Sequence, residues 1–283
     1  MGNKLFKSIG LVARFDRKKA VRLAEDLTER LTARGLEVYA EETLIKKTKV
    51  KIPPIPLERM KTDLIIAIGG DGTLLRTCIT IPKPEPPILA INMGVRGFLT
   101  EIEPNNAFSA VDKCLDGDFE IEKYMKLSIA ADGLSFPDAL NEVVISPDEP
   151  AKLLYAHIFK DGEPILDCQS DGLMVATQTG STGYSLSAGG PVLDPGVNAF
   201  VLTPIIPLST FHPIVFPANT RLTIEIVKSR KTQILIDGHY KQIATSKLPR
   251  IEISRSKYET SFIRFKHNFY HRLRSRLFFK GIR

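Results

Sequence analysis

The sequence predicts an α/β N-terminal domain on an open, mostly parallel sheet, then a C-terminal all-β domain, with a C-terminal helix returning to the N-terminal domain. Three observations lead there. Over the first ~115 residues strand-like apolar runs alternate with helical periodicity, as in an open α/β sheet. From residue 120 to about 250 the texture changes to short alternating runs separated by turns, the pattern of antiparallel β structure. At the end, Phe262, Phe265, Phe269, Leu273 and Leu277 recur at spacings of three and four, an apolar helix stripe with a basic opposite face. The expected division is 1–118, 119–250 and 251–283, the last a basic strand/helix segment packing on the first domain or on a neighbouring subunit.

The elements follow in order. Ile9 to Ala13 reads as a strand. Asp16 to Arg34 reads as a helix with Ala20, Leu23, Leu27 and Leu31 on its apolar face, and Gly35 stands where a C-cap belongs. Leu36 to Tyr39 alternates as a second strand, and Lys46 to Pro56 is a basic loop broken by prolines. Leu64 to Ile68 is continuously apolar, as in a buried parallel strand. A glycine turn follows, then a short helix over Thr73 to Thr80. After the proline-rich 82–87, Ile88 to Ile91 is another buried strand, ending on a second glycine turn, Asn92 to Phe98. In the β-rich part the strand-like runs are 126–129, 142–145, 154–159, 221–227 and 233–236, with turns at Asp161-Gly162 and Asp237-Gly238.

A chain of 283 residues has room for two cores, and 43% hydrophobic with 25% charged residues is ordinary for a globular protein. No apolar run approaches the ~20 residues of a membrane span, and the N-terminus meets charge too soon for a signal peptide. Gly2 carries little as an acylation site. Cys78, Cys114 and Cys168 are scattered and not at metal spacing, which fits free thiols in the cytoplasm. The net charge of +7 is accounted for by Arg264, Lys266, Arg272, Arg274, Arg276, Lys280 and Arg283, in a segment with no acid. A docked helix explains this better than nucleic-acid or membrane binding, so neither partner is expected.

Three clusters carry chemistry. The first is Gly69-Gly70-Asp71-Gly72-Thr73, between a strand and a helix. Glycines let backbone N–H groups approach phosphate, at the sheet edge where α/β proteins bind ligands. It lacks the GK[ST] of a Walker loop. A carboxylate there repels phosphate unless it has another task, and taking a proton from an attacking hydroxyl is that task. Its plain alternative is an aspartate capping the following helix. The second cluster runs from Asp171 to Pro191, a strand followed by hydroxyls, glycines and Tyr184. Such groups read the edges of a sugar or base, and the tyrosine can stack on a ring. The third is Asn141-Glu142 at a strand start, where an amide and a carboxylate can hold a base and a sugar hydroxyl or simply face solvent. The histidines form no metal motif.

Together the clusters resemble the NAD kinase family. GGDGT at 69–73, NMGVRGF at 92–98, NE at 141–142, DG at 171–172 leading to TGSTGYSLSAGGP, LTPIIPLS at 202–209 and DG at 237–238 stand in the family's order over nearly the whole chain. The resemblance implies transfer of the terminal phosphoryl of ATP to the 2′-hydroxyl of the adenosine ribose of NAD, with Mg²⁺ or another divalent cation accompanying ATP. It implies Asp71 as the base, Gly72 and Thr73 against phosphates, and Arg76 neutralising them. It implies Asn141 and Glu142 on the adenosine, Phe98 and Tyr184 beside rings, and Asp171 on the nicotinamide side. Thr179, Thr182, Gly183, Ser185 and Ser187 would line the pocket, and Ile206 would reach a neighbour's site in a homodimer or homotetramer. Arg96 departs from the family, which has leucine there, and Gly238 stands where some members have histidine or serine. Two rivals share parts of the pattern: a lipid-type kinase, because GGDGT occurs there too, and a non-catalytic dinucleotide sensor.

Overall fold

The structure is a computed structural model that describes residues 5–94, 97–149, 151–228, 231–244, 246, 248–266 and 269–277. Gly2, Arg96, Lys280 and Arg283, and the side chains of Arg276 and Leu277, lie outside the described residues. The chain forms two compact units, Met1–Lys123 with Thr260–Arg283, and Tyr124–Glu259.

The first unit opens with strand β1 (Ser8–Ala13), helix α1 (Lys18–Ala33) and strand β2 (Glu37–Glu41). The helix starts two residues later than its periodicity suggests, and Asp16, outside it, takes a paired contact from the Arg14 guanidinium at 2.8 and 3.0 Å. Ala20, Leu23, Ala24, Leu27 and Leu31 are buried on its inner face, and each buried leucine is worth about 1.5–3 kcal/mol of transfer free energy. Gly35 follows with φ of 70°, the left-handed stop that glycine adopts without strain. A single turn α2 (Glu42–Ile45) leads to the two-residue strand β3 (Pro54–Ile55), inside the segment read as loop.

Strand β4 (Leu64–Gly69), helix α3 (Asp71–Thr80), strand β5 (Ile88–Asn92) and helix α4 (Ala107–Asp116) complete the α/β run. Helix α3 begins at Asp71 rather than Thr73, with Gly70 as its N-cap. Helix α4 lies under the sequence's own signals: Ala107, Ala110, Val111 and Cys114 are buried at helical spacing, and Gly117 ends it with φ of 83°. The sheet order is β5-β4-β1-β2-β3, all parallel. Its central strands β1, β4 and β5 are buried on both faces, so they read as unbroken apolar runs, whereas β2 alternates and β3 lies at the exposed edge.

The second unit is β-rich. It holds β6 (Glu120–Ala131, beginning in the first unit), β7 (Leu134–Ser135), β8 (Glu142–Pro147), β9 (Leu154–Lys160) and β10 (Glu163–Thr177). A short helix α5 (Tyr184–Ser187) precedes β11 (Ala199–Pro207), β12 (Ile214–Pro217), β13 (Leu222–Lys228), β14 (Thr232–Ile236) and β15 (Tyr240–Ile243). The pairings β14-β8-β10-β9-β13 are antiparallel throughout, with Ile145, Leu173, Met174 and Val175 in the centre fully buried.

Strand β16 (Arg250–Arg264) then carries the chain back, and helix α6 (Phe269–Leu277) ends the described part. The expected stripe is therefore split: Phe262 is a buried strand residue paired with Ile88, while Phe269 starts the helix. No helix among the described residues is long and apolar enough to cross a membrane.

Candidate active site

In the first unit, β1 has β2 on one side and β4 on the other. The chain runs outward through β2 and β3 and then returns to β4, so strand order reverses between β1 and β4. Open α/β sheets bind ligands beyond the carboxyl ends of the strands at such a reversal. Strands β4 and β5 are parallel neighbours with Gly69 opposite Asn92, so both glycine turns leave the same edge side by side. The Met93 N–H donates to the Gly69 carbonyl at 2.9 Å and ties the turns together.

Asp71 is the second tie. Its carboxylate accepts the N–H groups of Phe98 at 2.8 Å, Leu99 at 3.1 Å and Thr100 at 3.2 Å, and the Thr100 hydroxyl at 3.3 Å. Oδ1 takes three of these and Oδ2 one. Asp71 therefore does not cap helix α3; it is the helix's first residue, and its side chain clasps the neighbouring turn. The glycines divide the remaining work. A Cβ at Gly69 would lie 2.3 Å from the Thr73 hydroxyl oxygen, so Gly69 exists to let the helix turn back on the strand. A Cβ at Gly70 would meet nothing within 4 Å, so that space beside the first N–H groups of α3 is open. Gly72 is exposed and Thr73 half-buried. Arg76, further along α3, directs its guanidinium to the buried Glu41 at 2.5 and 2.7 Å. Phe98 is buried, its ring edge-on to Phe269.

In the second unit Asn141-Glu142 opens β8, and the hydroxyl-rich segment follows β10. Thr177 joins them: its N–H donates to the Asn141 carbonyl at 2.8 Å and its hydroxyl to the Leu140 carbonyl at 2.6 Å, while its oxygen accepts the Gly180 N–H at 3.1 Å. Gly180 lies so close that a Cβ there would be 2.1 Å from the Asn141 carbonyl oxygen. Several hydroxyls shape the loop itself. Thr182 donates to the Thr179 carbonyl, Ser181 to the Gln178 carbonyl, and Ser185 pairs with Thr203, and all of these side chains except Gln178 are buried. Tyr184, Ser187 and Asp171 are exposed, and Ile206 is 71% exposed.

Asp237 is the residue sequence reading missed. The sequence showed it as a turn and as part of the DG motif at 237–238, with no role assigned, yet its buried carboxylate accepts the N–H groups of Leu140 at 2.8 Å, Asn141 at 2.8 Å and Glu142 at 3.0 Å. The clasp repeats that of Asp71: one aspartate beside a glycine holds three consecutive amides. Burial pushes the Asp237 carboxyl up, opposed by these three donors and the charge of buried Lys126. Burial also pushes Glu142 up, to about 8, and the Asp237 charge adds to it. The amide-held Asp237 is the better anion, so the proton resides on Glu142 near neutral pH. Two buried oxygens, Asn141 Oδ1 and Glu142 Oε2, have no hydrogen-bond partner. Gly183 adjoins them: a Cβ there would lie 3.6 Å from Glu142 Oε2. Buried polar atoms are almost always paired, which marks these two as candidate contacts for a polar ligand.

A family described as ATP-NAD kinase N-terminal domain matches residues 9–119, and its partner, ATP-NAD kinase C-terminal domain, matches 140–265. The NAD kinase of Thermococcus sibiricus is 40% identical over 268 residues, covering 92% of this chain and 95% of its own. That of Methanothermobacter thermautotrophicus is 38% identical over 281 residues, covering 97% of both. The crystal structure of an NAD kinase from Archaeoglobus fulgidus in complex with ATP is similar with a TM-score of 0.75 at 28% identity, over 95% of this chain and 99% of that one. Yeast NADH kinase complexed with NADH has the same fold, with a TM-score of 0.88 at 22% identity over 100% of this chain and 94% of its own. This chain belongs to the NAD kinase family, and it is a kinase.

Proposed function

We propose that ATP-dependent phosphorylation of NAD, the activity of this family, proceeds in this chain with Asp71 as the base that takes the proton of the 2′-hydroxyl on the adenosine ribose. The observation that supports this most is the division of labour on its carboxylate. Oδ1 is committed to the 98–100 turn, whereas Oδ2 accepts a single bond among the described residues and keeps a lone pair. The carboxylate is held rigidly at the carboxyl end of β4, beside the open space at Gly70 and the N-terminus of α3, where a phosphoryl group is favoured. Phosphoryl transfer asks the protein mainly for positioning and charge stabilisation, which fits this inventory.

The second unit supplies the adenosine contacts. Neutral Glu142 offers a proton and Asn141 Oδ1 a lone pair, both buried and unpartnered, with Tyr184 exposed nearby in sequence to cover a ring. Asp171, Thr179, Thr182, Gly183, Ser185 and Ser187 shape the rest of the dinucleotide site, the buried ones by fixing the loop and the exposed ones by direct contact. Gly72 and Thr73 face the phosphates, and Arg76, held by Glu41, contributes its charge from further along the same helix. The divalent cation accompanies ATP, chelated by its phosphates. The protein works in the cytoplasm as a homodimer or homotetramer, with the exposed Ile206, Leu208 and Val215 toward a neighbouring subunit.

The test is NADP formation from NAD and Mg-ATP by the parent and Asp71→Asn. General-base catalysis is worth about 10²- to 10⁴-fold, so kcat should fall by that factor with the KM for NAD little changed. Near-normal turnover by Asp71→Asn would falsify the assignment.

A further inference from the structure

We propose that two arginines of the C-terminal segment, Arg264 and Arg272, are positioning residues for Asp71, acting through the 98–101 turn. The proposal rests on the reading of Asp71 as the base. On one side, the turn gives Asp71 the N–H groups of Phe98, Leu99 and Thr100. On the other, it is held by the tail. Arg264 Nη1 donates to the Leu99 carbonyl at 3.0 Å, and its Nε donates to Glu122 at 3.0 Å. The same guanidinium stands 3.7 Å from Glu101 and 4.9 Å from the centre of the Phe262 ring. Arg272 donates to Glu101 at 2.9 Å and lies 5.8 Å from the centre of the Phe98 ring, against which Phe269 packs edge-on at 5.4 Å.

One peptide group links the two sides. The Leu99 carbonyl accepts from Arg264, and the N–H of that same peptide, carried by Thr100, donates to Asp71 at 3.2 Å. A cation on the carbonyl polarises the amide and strengthens its donation, so the charge of Arg264 reaches Asp71 through one peptide bond. Arg264 is 1% exposed and the Glu101 side chain 7%, so solvent screens the relay weakly. A buried arginine is a poor way to add stability, because an apolar side chain of similar size fills the same space without a desolvation penalty. Its place on the peptide that holds Asp71 supplies a reason for its charge. Arg272 fixes the same turn from the helix, through Glu101 and the Phe98 ring.

The experiment compares Arg264→Met, Arg272→Met, Arg272→Lys and Arg274→Met with the parent in the NAD and Mg-ATP assay, and repeats Arg272→Met in the Asp71→Asn background. Small displacements of a catalytic group cost up to about 10²-fold, so each methionine variant at 264 and 272 should lose about 10-fold or more in kcat with the KM for NAD within about twofold. Arg272→Lys should recover most of the loss by keeping a charge on Glu101. Arg274, exposed on the same helix, should tolerate methionine. With Asp71 already Asn, Arg272→Met should cost less than about twofold more, because the group it positions is gone. Should Arg264→Met fail to fold, the Arg272 set alone decides. Full kcat in the Arg264 and Arg272 variants beside an inactive Asp71→Asn overturns this proposal alone. So does an equal loss in Arg274→Met, or a loss that multiplies with Asp71→Asn. Near-normal turnover of Asp71→Asn overturns the base reading and this proposal with it.

Discussion

Glu142 donates its backbone N–H to Asp237 Oδ1 at 3.0 Å, while the Asp237 charge, added to burial, helps push the Glu142 carboxyl up to about 8. One residue thus binds its neighbour through the main chain and raises its proton affinity through the side chain. The sign of the pH effect follows. Between the ordinary carboxyl value of 4.5 and about 8 the folded protein holds a proton that the unfolded chain has lost. Stability therefore falls as pH rises through that window, at up to about 1.4 kcal/mol per pH unit. Glu142→Gln keeps the shape without the titration. Urea midpoints measured across the window should slope less steeply in the variant, and the variant should be the more stable protein at the alkaline end. A variant with the parent's slope would assign the titration elsewhere.

Asp237→Ala should be costly for a different reason. It leaves the N–H groups of Leu140, Asn141 and Glu142 without their acceptor, in a place where Asp237 itself is 3% exposed. Each buried donor stripped of its partner costs about 1–3 kcal/mol, so a loss on the order of 3 kcal/mol or more is expected. The same amides set the direction of Asn141 and Glu142, so the KM for NAD should rise several-fold. Asp237→Asn retains one acceptor and should be intermediate in both. This contrasts with Asp71→Asn, whose deficit is expected in kcat. Equal kcat and KM effects at the two aspartates would remove the distinction between them.

Two glycines separate packing from ligand access. Gly180→Ala puts a Cβ 2.1 Å from the backbone oxygen of Asn141, where nothing flexible can yield. Overpacking of this kind costs about 1–3 kcal/mol or more, and the displaced Asn141 should weaken NAD binding. Gly70→Ala meets nothing within 4 Å, and the residue's φ of −99° suits any side chain. Its stability should stay within about 1 kcal/mol of the parent's, the N-cap preference for glycine over alanine setting any loss, while the added methyl intrudes where phosphate is expected and raises the KM for ATP. Calorimetry on both variants with steady-state kinetics separates the two effects. A Gly70→Ala enzyme with unchanged ATP kinetics would move the phosphate away from that turn.

Much of the first unit was legible because its signals are local. Buried parallel strands are unbroken apolar runs, and Ala20 to Leu31 and Gly35 mark one helix and its end. The hidden parts depend on residues distant in sequence. Asp71 read equally well as a helix cap until Phe98, Leu99 and Thr100 were seen on it, 27 to 29 residues away. Asp237 looked like any turn aspartate, since its three donors lie 95 to 97 residues away. Arg76 read as a free cation beside phosphate, and only the fold brings Glu41 to it. The serines and threonines of 179–187 read as a polar site, but sequence could not say which hydroxyls turn the loop, as Ser181 and Thr182 do, and which stay exposed, as at Ser187.

Ile206 tests the proposed homo-oligomer. It has φ of 49° and is 71% exposed. A β-branched residue in the left-handed region is a genuine outlier, and such strain costs on the order of 1–3 kcal/mol. The proline that follows narrows its choices further. Among the described residues no packing offsets this cost, because the side chain is exposed to solvent beside the exposed Leu208. The cost is recovered if the side chain is buried by a second subunit. Ile206→Gly should then raise the stability of the dissociated chain by about 1 kcal/mol and weaken its association. Sedimentation over a range of concentrations, with urea midpoints at the dilute end, reads both. Association as tight as the parent's would take Ile206 out of the subunit contact, whatever happens to the midpoint.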